Sequence, residues 1–226
     1  MNKNAKFITL SVLLMSVGIS MVDGVFKTSY FTKSVIKVLM FIPLPLLYFF
    51  KSDEGKNQLK QLFTPVKKYF FKSLILAFAI YAFMVGGYFM TKDVIDFSSV
   101  TTLLTQNMGV NKNNFIYVSL YIAFVNSLVE EFFFRGYAFL ALKKHVGRKF
   151  AYIFSALMFA LYHSGMTDGW FNFPVFLLMI AGLFVGGCIF NFLNEKCENI
   201  YPSWLVHMFA NFGINTVGFI LFGIIQ

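Results

Sequence analysis

The sequence predicts an all-α protein, a polytopic transmembrane helix bundle of about seven spans with room for an eighth. Three observations lead there. Only 13% of the 226 residues are charged while 58% are hydrophobic, against the quarter or so that is charged in a soluble domain. The apolar residues, 32 Phe among them, fall in long blocks and not in alternating or heptad patterns. Several blocks reach the roughly 20 residues needed to cross a hydrocarbon core about 30 Å thick. Lipid offers no water to unpaired backbone groups, so each span is expected to be helical.

In chain order the spans run near residues 7–26, 34–50, 70–90, 115–142, 150–165, 173–194 and 201–225. The first lacks a small-residue cleavage site and reads as a retained anchor. The second holds Pro43 and Pro45, which are expected to kink or break it. The fifth is short, as for a tilted helix or one enclosed by its neighbours. Residues 1–226 read as a single membrane domain without internal repeats. Gly182 and Gly186 have the small-xxx-small spacing that permits close helix packing.

Orientation follows from Lys and Arg in alternate loops. The N-terminus, 51–72, 143–149 and 195–200 hold thirteen. The opposite set holds five: Lys27, Lys33, Lys37, Lys92 and Lys112. The expected arrangement therefore has the N-terminus inside and the C-terminus outside. Residues 51–72 could lie on an anionic membrane surface as a basic amphipathic stretch, or serve as a solvated linker. The net charge of +9 is accounted for by these loops, with no aromatic platform that would suit nucleic acid. Seventeen Lys against two Arg, with many Asn and Phe, point to an AT-rich bacterial genome and so to a bacterial cytoplasmic membrane. Cys188 and Cys197 read as packing residues or free thiols.

The fourth span carries Glu130, Glu131 and Arg135. Each central charge costs about 2.5–3.5 kcal/mol on the translocon scale. Glu131 and Arg135 are four apart, in the favourable acid-before-base order. Glu130 is turned by about 100° from Glu131, and Asn126 lies one turn before it on the same face. His163 closes the fifth span, one turn after Phe159. The seventh carries a polar stripe of Ser203, His207, Asn211 and Asn215, a pattern that serves either interhelical hydrogen bonding or chemistry. The third histidine, His145, sits in a basic loop and reads as solvated.

At similar depth, these groups suit hydrolysis. A buried carboxylate beside a histidine can deprotonate a water, and His and Asn N–H groups can stabilise an oxyanion. Zinc is the competing use of Glu and His, although no H-E-x-x-H is present and the two histidines lie on different helices. The G-x-S-x-G elbow of a serine nucleophile is absent.

Glu130-Glu131-Phe-Phe-Phe-Arg135 resembles the EExxxR motif of the CAAX-protease and bacteriocin-processing family, also called CPBP or Abi. Phe159-Ala-Leu-Tyr-His163 is similar to its second motif, FxxxH. His207-Met-Phe-Ala-Asn211 is similar to its third. The resemblance covers about residues 115–215, a CAAX-protease-like catalytic core. It implies an intramembrane endopeptidase in which Glu130 and His163 activate the water. By the same resemblance His207 and Asn211 form the oxyanion hole, while Glu131 and Arg135 orient the site. The family is described both as a metalloprotease and as using a metal-free glutamate mechanism, so a divalent metal such as zinc stays open. The implied partners are the lipid bilayer and a peptide or membrane-protein substrate, in peptide maturation or bacteriocin self-immunity. The alternative is a non-catalytic membrane immunity or scaffold protein that binds a toxin or partner.

Overall fold

Seven apolar helices pass between two opposite ends of the protein, and the site lies among the inner ones. The computed structural model describes residues 2–65 and 67–226. Among the described residues, and apart from the single turn Ser164–Thr167, there are nine helices: α1 (Lys3–Val25), α2 (Tyr30–Phe50), α3 (Asp53–Leu62), α4 (Lys67–Thr91), α5 (Ser98–Met108), α6 (Phe115–Ala141), α7 (Arg148–Tyr162), α8 (Phe173–Glu195) and α9 (Tyr201–Leu221). No strand occurs among the described residues. Six of these helices, namely α1, α2, α4, α6, α8 and α9, are long and apolar enough to cross a membrane.

Local sequence sets several boundaries. The Asn2 side chain accepts the Ala5 N–H at the start of α1, and Ser29, Ser52 and Asn172 do the same for α2, α3 and α8. Such caps satisfy amide donors that a first turn leaves open. α2 breaks at Ile42 and restarts at Pro43, the kink expected of a proline. Pro174 and Pro202 sit in the first turns of α8 and α9, where a missing N–H costs nothing.

At one end Asn2 and Tyr48 meet His145, Lys144 meets Glu54, Arg148 meets Glu195 and Gln61 meets Glu198. At the other, Ser20 meets Ser164, Phe97 meets Phe171 and Lys112 meets the Gly223 carbonyl. The four expected basic segments thus share one end. His145 is not merely solvated: its Nε2 is 2.7 Å from the Tyr48 hydroxyl, and partial burial holds its imidazole below the usual range. α7 also runs from end to end, in 15 residues. At 1.5 Å per residue that is about 22 Å, short of a full span, and the turn Ser164–Thr167 completes the crossing.

Two elements were not foreseen as helices. Residues 51–72 are not a bare linker: α3 is a separate amphipathic helix that buries Gly55, Gln58 and Leu62 and turns Lys56 and Lys60 outward, and α4 already begins at Lys67. α5 occupies part of what read as a loop. The C-terminal half of α6 is enclosed on every side, from Val129 to Leu142, as expected for a helix apolar all round. α4 is the opposite case, with Phe71, Ile75 and Phe83 exposed on its outer face.

Close backbone approach is confined to particular glycines. Gly182 and Gly186 face open space, and the contact belongs to Gly187, where a Cβ would lie 3.0 Å from Ala156 Cα. At Gly165 a Cβ would come within 1.8 Å of the Ser20 carbonyl oxygen, so α1 presses directly on the turn that follows His163. Gly165→Ala is therefore expected to lose about 1–3 kcal/mol through overpacking, whereas Gly182→Ala stays within about 0.5 kcal/mol of the parent. Thermal unfolding in detergent checks this, and equal midpoints for the two variants would contradict the contact.

Candidate active site

The site is organised by α6, whose backbone departs from α geometry. Tyr121–Asn126 and Glu131–Ala141 have the wider turn of a π-helix, with α-helical Ser127–Glu130 between them. Such departures occur often at functional sites. Although consecutive on this helix, the two glutamates reach one common partner, each through a different ring nitrogen. That partner is His207 of α9. Its Nδ1 lies 2.9 Å from Glu131 Oε1 and its Nε2 lies 3.6 Å from Glu130 Oε2.

Glu131 is fully buried and also accepts the Ser203 hydroxyl. Arg135 Nε is 3.5 Å from Glu131 Oε2, with both side chains at 0% exposure. No guanidinium N–H is aimed well enough to count as a hydrogen bond, so this is a charge contact. The guanidinium is instead flanked by aromatic faces, 4.0 Å from the Phe159 centroid and 4.9 Å from that of Phe190, a cation–π arrangement that gains strength when dry.

Glu130 has different partners. The Asn126 amide, one turn back on α6, donates to Oε1. The ammonium of Lys37 on α2 lies 3.4 Å from the same oxygen and 3.0 Å from Asn126 Oδ1. Counting loop charges assigned Lys37 to the face opposite the basic end. The residue instead lies inside α2, pointed at the carboxylate that had no evident counter-charge. The signal was in the sequence, since an ionisable residue within a span is a functional-site candidate by default.

His163 closes α7, with Nδ1 2.7 Å from the Phe159 carbonyl. A hydrogen bond from Nδ1 fixes the tautomer and leaves Nε2 as the free acceptor. The Phe159 ring lies 5.0 Å from the His163 ring and 5.7 Å from that of His207. With Arg135 over its face, this one phenyl ring therefore neighbours groups from all three sequence motifs. Tyr162, beside His163, also faces Glu130 and lies under Lys37, 5.2 Å from its Nζ.

The stripe on α9 divides. Ser203 and His207 turn to the carboxylates, whereas Asn211 and Asn215 donate to the Ile122 and Ser119 carbonyls of α6. The Asn211 amide keeps a second N–H. Among the described residues no three His, Cys, Asp or Glu side chains group so as to hold one ion. The nearest set is already committed: Glu131 to Ser203, Arg135 and His207, and Glu130 to Asn126 and Lys37. These donors do not fit a three-ligand zinc site. Cys188 and Cys197 are free thiols.

Residues 112–213 match the family model described as Type II CAAX prenyl endopeptidase Rce1-like. No curated protein and no solved structure matches the chain. The segment with both glutamates, Arg135, both site histidines and Asn211 is thus similar to the Rce1-like endopeptidases, matching the CAAX-protease and bacteriocin-processing family. Lys37 lies outside it.

Removing one member of the buried Glu131–Arg135 pair leaves the other uncompensated, which costs about 3–5 kcal/mol. Arg135→Met is expected to lose that much in thermal unfolding, and Arg135→Met with Glu131→Gln to recover most of it. Simple additivity of the two single losses would show that the charges do not compensate one another.

Proposed function

We propose that the protein is an intramembrane endopeptidase that cleaves a peptide bond in a membrane-associated protein or peptide with a water activated by Glu130 and His163. The observation that carries this reading is His207 set between Glu130 and Glu131, within a site that the Phe159 ring links to His163. The Rce1-like segment supports it at the level of the family. Glu130 Oε2 faces the interior of the site, and the Nε2 of His163 is unclaimed. A water held by these two groups loses its proton to Glu130 as its oxygen attacks the scissile carbonyl carbon. The oxyanion is met by N–H groups of His207 and Asn211. His207, when it carries a proton on both nitrogens, anchors to Glu131 through Nδ1 and donates through Nε2. Glu131 and Arg135 keep that imidazole in place. On collapse the C–N bond breaks, Glu130 returns the proton to the leaving nitrogen, and the products are a carboxylic acid and an amine, which ionise to carboxylate and ammonium.

The substrate expected at this depth is the tail or span of a bilayer-bound polypeptide. With the basic end inside a bacterial cytoplasmic membrane, the role is peptide maturation or self-immunity against a bacteriocin. The donor set does not fit zinc, so no step is routed through a metal.

Mass spectrometry of peptides from membranes and medium tests the reading, comparing cells with wild-type protein and Glu130→Gln at equal membrane levels. A peptide terminus present only with the wild type is the expected result. Identical profiles, with any protective phenotype kept by the variant, would replace the peptidase with a non-catalytic immunity protein. Once a cleaved peptide is known, the purified protein is expected to keep its rate in 1,10-phenanthroline. Loss of activity that zinc alone restores would overturn the metal-free route.

A further inference from the structure

A lysine within a membrane span is costly, so its partners are informative. Lys37 does not turn to solvent: its side chain is 12% exposed, and that of Glu130 is 2%. One of its two polar contacts ends on the Glu130 carboxylate and the other on the side chain of Asn126. The ammonium reaches Glu130 Oε1 directly and also Asn126 Oδ1, while the Asn126 amide donates to the same Oε1. Lys37, Asn126 and Glu130 thus close a ring of three contacts around Oε1. The other oxygen, Oε2, is left towards His207. Lys33, one turn earlier, is engaged elsewhere, with its Nζ 2.8 Å from the Asp23 carbonyl, so it does not duplicate this role.

Resting on the endopeptidase reading above, we propose that Lys37 is a positioning residue for the water-activating carboxylate. Its ammonium, with the Asn126 amide, fixes Oε1 of Glu130 and so aims Oε2 at the reacting water. A carboxylate tied at one oxygen has a single rotamer and a defined basic oxygen, and a counter-charge beside it keeps the ionised form in the dry layer. The contribution comes from α2, before the Rce1-like segment begins at residue 112. Substrate binding need not involve it, because the ammonium is already occupied.

The test uses full-length protein in detergent with an internally quenched peptide spanning the bond found in the comparison of wild type with Glu130→Gln. Lys37→Met, close in shape and without charge, is expected to lower kcat about 100-fold and leave KM within about twofold. Lys37→Cys is expected to be equally impaired, and alkylation by 2-bromoethylamine, which rebuilds a lysine-like ammonium on the folded protein, to restore most of the rate. Wild-type protein treated in parallel controls for Cys188 and Cys197. Wild-type kcat in Lys37→Met, or no recovery of Lys37→Cys once its mass shows the added aminoethyl group, would overturn the role of Lys37 while leaving Glu130 as base. Indistinguishable peptide profiles for wild type and Glu130→Gln remove the endopeptidase reading itself, and this inference with it, before any Lys37 variant is made.

Discussion

Charge balance in a dry layer is the constraint from which the rest of this structure follows. Two adjacent carboxylates at 0–1% exposure cannot persist in the protein interior unless each meets a cation or a full set of donors. Glu131 meets Arg135 within its own helix, along with a hydroxyl and an imidazole. Glu130 meets Lys37 across a helix interface, along with an amide. Counting Lys37 and Arg135 against the two glutamates, the layer is neutral without requiring charge on either histidine.

Neutrality alone does not set geometry, and here aromatic packing does. Phe159 carries the Arg135 guanidinium on its face and both histidines at its sides. Behind it, Phe134 packs on Phe159 and Tyr162, and Phe41 of α2 stacks on Phe133 at 4.0 Å. These rings resist displacement because interiors are close-packed. The three phenylalanines between Glu131 and Arg135 are thus more than spacing. Their residue type fixes α6 against α2 and α7, and so sets where the two carboxylates point.

Much of this was legible in the sequence, for reasons that also explain what was not. The Glu131–Arg135 pair, the Asn126–Glu130 contact and the place of Phe159 beside His163 all follow from four-residue spacing on a helix. The α2 break follows from Pro43. The relation between Glu130 and Glu131 did not follow, because one imidazole bridges the two carboxylates through its two nitrogens, and helical spacing does not say which residue of a facing helix lies between them. The α9 stripe could not be apportioned, since each of its polar groups is compatible with either role until the facing helix is known. Lys37 was missed because a rule for loop charges was applied to a residue inside a helix. The distance in sequence between Lys37 and Glu130 gives no hint that α2 lies across from α6.

That distance bears on how the Rce1-like segment is to be understood. Taken alone, residues 112–213 hold two site carboxylates and one guanidinium, an arrangement short of one positive charge. The missing charge, the Phe41 ring behind α6 and the α1 backbone under the turn after His163 all come from the first 41 residues. The chemistry-bearing groups sit in the matched segment, while part of what keeps them ionised and aimed comes from outside it. A motif can record which atoms react. It cannot record which neighbouring helix makes their charges tolerable, because any suitably placed cation satisfies the same electrostatic need.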